Sequence, residues 1–158
     1  LPLRDRHRGR ERRAPDVRAA KLFDDTLATL ARPGHPYLKR EPGTAAFAAA
    51  EHVSVYSLPG VGALAGGSGR TGRPVRQTSQ VSSTLVGVLA TLNSDALLTL
   101  PASLAGILER QFGLARISQP LEPATFPVRL LWHTSYDRDE CHQWLRREFA
   151  GIASEFTV

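Results

Sequence analysis

The sequence predicts a mixed α/β fold. Three observations carry this. Residues 96–145 alternate apolar runs with helix-period segments in the order strand, helix, strand, strand, helix. Two short apolar runs flanking a helix form a βαβ unit, the building block of parallel sheets that bind ligands at their strand ends. Proline-marked connections near residues 32–38 and 120–127 then divide the chain into two lobes joined twice. A nearly complete second lobe spans about residues 37–126, and a partial first lobe combines residues 15–36 and 127–157.

The elements follow in order. Arg18–Phe23 and Thr26–Arg32 read as short strands on either side of Asp24-Asp25, and Pro33-Gly34-His35-Pro36 as a turn. Thr44 opens a short helix to Glu51 as its N-cap. His52–Ser57 alternates and is β-branched, which predicts a strand. Residues 59–74 hold six glycines and two prolines. Each glycine costs a helix about 1 kcal/mol relative to alanine, so this stretch reads as a mobile loop. Val75–Val81 is a strand. Leu85, Val88, Leu89 and Leu92 then share one helix face over 83–92, with a serine of Ser82-Ser83 as N-cap. After Asn93-Ser94-Asp95 comes a strand over 96–100. A helix over 102–112 carries the stripe Leu104, Ile107, Leu108 and Phe112, stopped by Gly113. Residues 115–119 and 128–132 are strands. The last helix, about 139–155, places Asp139 and Glu140 at its positive end and buries Cys141, Trp144, Leu145, Phe149, Ile152 and Phe156.

The net charge of +5 is concentrated at one end. Six arginines against Asp5 and Glu11 give residues 1–13 a charge of +4, which leaves +1 for the other 145 residues. The domain at 14–158 is therefore nearly neutral, and the high net charge says nothing about a nucleic-acid surface on it. The arginine tract itself reads as a disordered tail, because like charges repel and it has no apolar face. No run approaches the roughly 18 apolar residues of a membrane helix. The single cysteine, Cys141, allows no internal disulfide, so a reducing cytoplasm is the natural setting.

Motifs for chemistry are weak. Gly67-Ser-Gly-Arg-Thr-Gly72 matches a dinucleotide string, but Pro74 and a polar run follow where a helix must begin. His133, Asp137, Asp139, Cys141 and His142 resemble a metal set only on paper. Adjacent Cys141 and His142 diverge by about 100° on a helix, and Cys141 falls on the apolar stripe. Ser82-Ser83 lacks the G-x-S-x-G elbow of a serine nucleophile. No enzymatic activity, metal or cofactor is expected. What remains is the start of the 83–92 helix, where unpaired amides and serine hydroxyls suit an anion.

The ordered set of motifs resembles the effector-binding domain of LysR-type transcriptional regulators. Phe23-Asp24-Asp25 with Arg32-Pro-Gly-His-Pro36, Val81-Ser-Ser-Thr84, Leu100-Pro101, Gly113-Leu114, Phe126-Pro127 with Leu131-Trp-His133, and Asp139, His142 and Trp144-Leu-Arg146 occur in that family's sequence order. The resemblance implies a periplasmic-binding-protein-like two-lobe fold with a small organic effector, anionic or aromatic, between the lobes. Ser82, Ser83 and Thr84 would donate to it, Ser57 would approach from a strand end, and Leu130 and Trp132 would form an apolar wall. It further implies homo-oligomers and DNA contact through a winged helix-turn-helix that this sequence does not contain. The alternative is a truncated fragment that binds no effector and acts only as an interaction or dimerisation module.

Overall fold

A computed structural model of the chain describes residues 16–40, 43–55, 77–120 and 125–154. The arginine tract, Ser57, the glycine segment with its dinucleotide-like string, and Phe156 lie outside the described residues. The chain divides into a larger unit, Asp24–Phe126, and a smaller one, Leu1–Phe23 with Pro127–Thr157.

In the larger unit the elements are β2 (Leu27–Ala31), a 3-10 turn (Pro36–Leu38), α1 (Thr44–Ala49), β3 (His52–Val55), β4 (Gln77–Val81), α2 (Thr84–Leu92), β5 (Leu97–Pro101), α3 (Ala102–Phe112) and β6 (Ala115–Ile117). The smaller unit holds most of β1 (Val17–Asp25, whose Asp24 and Asp25 belong to the larger unit), β7 (Phe126–His133, from Pro127 on), a 3-10 turn (Thr134–Tyr136) and α4 (Glu140–Ala153). The mixed α/β class and the strand–helix–strand–strand–helix order of the second half are as the sequence predicts.

Five strands pair in the order β4-β3-β5-β2-β6. β3 runs parallel to β4 and β5, while β2 is antiparallel to both β5 and β6. Leu27–Ala31 was grouped by its sequence position with the first lobe, but it is held between β5 and β6 inside the larger unit. The prolines at 33 and 36 mark a turn within that unit; the chain crosses between units at Phe23–Asp24.

Strand alternation sends side chains to opposite faces of the sheet. Ala28, Leu30, Val53, Val55, Leu98 and Leu100 face α2 and α3, where Val88, Ala105 and Leu108 complete the main core. Ala31, Leu97 and Ile117 face the other way, against Phe47 and Tyr37. Thr29 and Thr99 share that second face and bond through their hydroxyls at 2.8 Å, and Gln119 donates to Thr29 at 2.7 Å.

Several local expectations need correcting. Gly43, not Thr44, occupies the N-cap position of α1, so no side chain caps that helix. On α2 the buried residues are Gly87, Val88 and Thr91, while Leu85 and Leu89 are half exposed. Gly87 explains this: a Cβ there would lie 3.2 Å from Leu98 Cδ1. The helix rests on the sheet through its smallest residue, which turns the leucines outward. Phe112 is likewise exposed, and Ala105 with Leu108 forms the buried face of α3. Gly113 ends α3 in the left-handed region at φ +66°, as its sequence context demands.

The largest departure is α4. Cys141, Trp144, Leu145, Phe149 and Ile152 were expected to be buried, and all five are exposed. The helix holds its own unit with a different face. Gln143 and Arg146 donate to the carbonyls of Tyr136 and Asp137, His142 stacks on Tyr136, and Ala153 is buried. Among the described residues the smaller unit has two hydrogen-bonded strands, too few to cover both sides of a helix of this length.

Candidate functional site

Because β3, β4 and β5 are parallel, their carboxyl ends lie along one edge of the sheet, and both α2 and α3 begin there. Open α/β sheets place ligands outside this edge. The two helix starts differ in how their amides are satisfied.

At α3 the chain turns directly from Pro101 into Ala102 and supplies no N-cap side chain. Asp25, at the end of β1, takes that role. Its Oδ1 accepts from the Thr26 amide at 2.8 Å and the Ser103 amide at 3.3 Å, and its Oδ2 accepts from the Ser103 hydroxyl at 2.6 Å. The carboxylate is 2% exposed, so a buried anion completes this helix end.

The α2 start has the same amides but no such anion among the described residues. Ser83 adopts the extended N-cap conformation, φ −128° and ψ 135°, and its carbonyl accepts from Gly87 N at 3.1 Å. Its hydroxyl makes no capping bond. Ser82 and Ser83 are exposed and Thr84 is half-buried, and no side chain among the described residues partners their hydroxyls. The structure thus brings Ser82, Ser83 and Thr84 together beside a first turn that has no side-chain cap among the described residues.

Leu130 and Trp132 are placed on β7 of the smaller unit, both half-buried. Trp132 is fixed by an indole N–H donated to Asp137 Oδ1 at 2.7 Å, and the Arg146 guanidinium lies 4.8 Å from its ring centroid. That indole bond, followed by Arg18, holds the Asp137 carboxyl below its ordinary range. Ser57 lies outside the described residues.

The histidines are committed to local structure. His35 Nδ1 accepts from the Tyr37 amide, which leaves Nε2–H to donate to the Asp95 carbonyl at 3.2 Å. His133 bonds Ser135 rather than a backbone carbonyl. Among the described residues no three His, Cys, Asp or Glu side chains converge on a point that could hold a metal. Among the described residues no helix is long and apolar enough to cross a membrane.

Sequence reasoning missed Asp25. Asp24-Asp25 reads as a break between two strands, and its partner Ser103 lies 78 residues away. The available signal was Pro101-Ala-Ser103, a helix start whose own N-cap position is a proline and so needs a carboxylate from elsewhere.

No family model matches the chain. It is 32% identical over 136 residues to the HTH-type transcriptional regulator SyrM of Rhizobium meliloti, covering 85% of this chain and 42% of that protein. It is 31% identical over 142 residues to the HTH-type regulator LinR of Sphingobium indicum, covering 87% and 46%. The chain therefore spans less than half the length of the curated relatives it matches. Among solved structures, a transcriptional regulator from Vibrio parahaemolyticus superposes with a TM-score of 0.77 at 18% identity, covering 89% of this chain and 66% of that one. The regulatory domain of CrgA, a LysR-type regulator from Neisseria meningitidis, gives 0.67 at 15%, covering 88% and 70%. The regulatory domain of CcmR from Synechocystis, solved in complex with 2-PG, gives 0.70 at 14%, covering 90% and 70%. Its sequence relatives are thus HTH-type transcriptional regulators, and it has the fold of LysR-type regulatory domains.

Proposed function

We propose that this domain senses a small organic effector, anionic or aromatic, for a cytoplasmic transcriptional regulator, and that it catalyses no reaction. The supporting observation is the contrast between two helix starts on one sheet edge. The α3 start is completed by a buried carboxylate from Asp25, whereas the α2 start offers the same amides and the hydroxyls of Ser82, Ser83 and Thr84 without one. A carboxylate or similar anion on an effector would serve α2 as Asp25 serves α3. Contact with DNA belongs to a winged helix-turn-helix outside this sequence.

The test is a thermal-shift panel of benzoate, phenylacetate and short aliphatic carboxylates, followed by titration calorimetry on any stabilising compound. Ser83→Ala is expected to weaken binding by about 0.5–1.5 kcal/mol for a neutral hydrogen bond, and more to a charged oxygen. It should leave the melting temperature of the free protein unchanged, because the hydroxyl makes no cap. Equal affinity in the Ser82→Ala, Ser83→Ala and Thr84→Ala variants would move the site elsewhere. A second reading, a module that works through association alone, draws on the exposed face of α4.

A further inference from the structure

The apolar pattern of the two central strands does not say how they should align. β2 reads Leu-Ala-Thr-Leu-Ala and β5 reads Leu-Leu-Thr-Leu-Pro. A slip by one residue turns every side chain to the wrong face, so the core excludes it. A slip by two residues keeps the faces. Leu30 would then lie opposite Ala96 or Leu100 instead of Leu98, and all three belong to the same buried cluster. Hydrophobic burial is non-directional and separates these registers poorly.

Polar groups separate them well. The antiparallel register pairs Thr29 with Thr99, the central residue of each strand. Both are buried, and their hydroxyls bond at 2.8 Å. Gln119, two residues past the β6 residue that pairs with Thr29, donates to the same hydroxyl at 2.7 Å. The alignment continues beyond the strands. One step past the Leu27–Pro101 pair, the Ala102 amide donates to the Thr26 carbonyl at 2.8 Å. One step further, the Asp25 carboxylate accepts from both the amide and the hydroxyl of Ser103. A two-residue slip breaks both side-chain pairs together. Thr29 would face Leu97 or Pro101, and Thr99 would face Leu27 or Ala31. Asp25 would face Pro101, which has no amide hydrogen, or Ala105, inside α3. Two hydroxyls and a carboxylate would be buried without partners, which is costly where a shifted leucine is not.

We propose that Thr29–Thr99 and Asp25–Ser103 form a two-point key that selects the register of β2 against β5, with Thr29, Thr99 and Asp25 as positioning residues. The register decides which residue reaches the start of α3. Only the native alignment fills that helix end from within the chain. The key concerns β2, β5 and α3 alone, so it stands whether or not α2 receives an effector.

Urea unfolding and cross-strand NMR contacts, both on the full chain, test it. Thr29→Val and Thr99→Val each leave one buried hydroxyl without its partner, and each should raise the unfolding equilibrium constant about tenfold. The double variant Thr29→Val with Thr99→Val removes both hydroxyls and should recover most of that loss while losing selectivity. After refolding it should show a second set of cross-strand contacts, with position 29 opposite 97 or 101. Adding Asp25→Ala removes the other point and should enlarge that set. Thr29→Ser with Thr99→Ser keeps both hydroxyls and should refold to the native set alone. A double valine substitution that refolds to the native contacts alone overturns the key, because the hydroxyls then stabilise without selecting. Single variants as stable as the original chain overturn it as well.

Discussion

His52 shows how one residue sets a pH response. Its ring donates from Nε2 to the Phe47 carbonyl at 2.8 Å and meets the Phe47 ring edge-on at 4.9 Å. Burial pushes its pKa below the ordinary histidine value, against the smaller upward pull of that hydrogen bond. The folded chain therefore keeps the ring neutral, while the unfolded chain takes up a proton near pH 6.5. Between the depressed folded value and about 6.5 the unfolded state binds more protons, so stability rises with pH. The contribution is complete above that range and lost as pH falls through it. Urea midpoints measured from pH 7.5 down to 5 should decline, and His52→Phe should flatten that decline. An identical slope in the variant would assign it to other groups.

At the scale of elements, sequence periodicity located nearly every helix and strand but misplaced what some of them face. Helix α2 shows why. Leu85, Val88, Leu89 and Leu92 form a convincing stripe, yet hydrophobicity ranks residues by what they gain when buried and takes no account of how closely a backbone can approach. Gly87 permits that approach, and the sheet accepts the side carrying Gly87, Val88 and Thr91. Gly87→Val would place new methyl groups where Leu98, Val55 and Val81 already lie within 3.6 Å of an added Cβ. It should cost about 1–3 kcal/mol in overpacking, read as a lower denaturant midpoint. An unchanged midpoint would mean that α2 is free to lift from the sheet. Helix α4 was misjudged for another reason: an apolar stripe says that a face seeks cover, and only the three-dimensional count of neighbours says whether the chain provides it. The candidate site was legible as Ser82, Ser83 and Thr84 at a helix start. Its meaning was not, because the comparison with Asp25 at α3 depends on a contact across 78 positions.

On the whole-molecule scale, cover is unevenly shared. Among the described residues both clusters of buried apolar side chains lie in the larger unit, whereas the only buried residue in α4 is Ala153. Local opening is cheapest where few apolar contacts are broken. Native-state hydrogen exchange should therefore protect the amides of β2 and β5 most strongly and release those of β1, β7 and α4 at lower free energy. Uniform protection across both units would show that they open together.

The position of β2 in the sheet also bears on how the chain is made. All five of its residues are buried, and its neighbours are residues 97–101 and 115–117. A ribosome releases β2 about 70 residues before β5, an interval of roughly 4–14 s at 5–20 residues per second. None of the described strands made in that interval pairs with it, since β3 and β4 join the sheet on the far side of β5. Leu27–Ala31 thus emerges as an extended apolar peptide with two bare hydrogen-bonding edges, the form that chaperones hold and that aggregating chains share. Within the five-stranded sheet, it is this interior strand that waits longest for a neighbour.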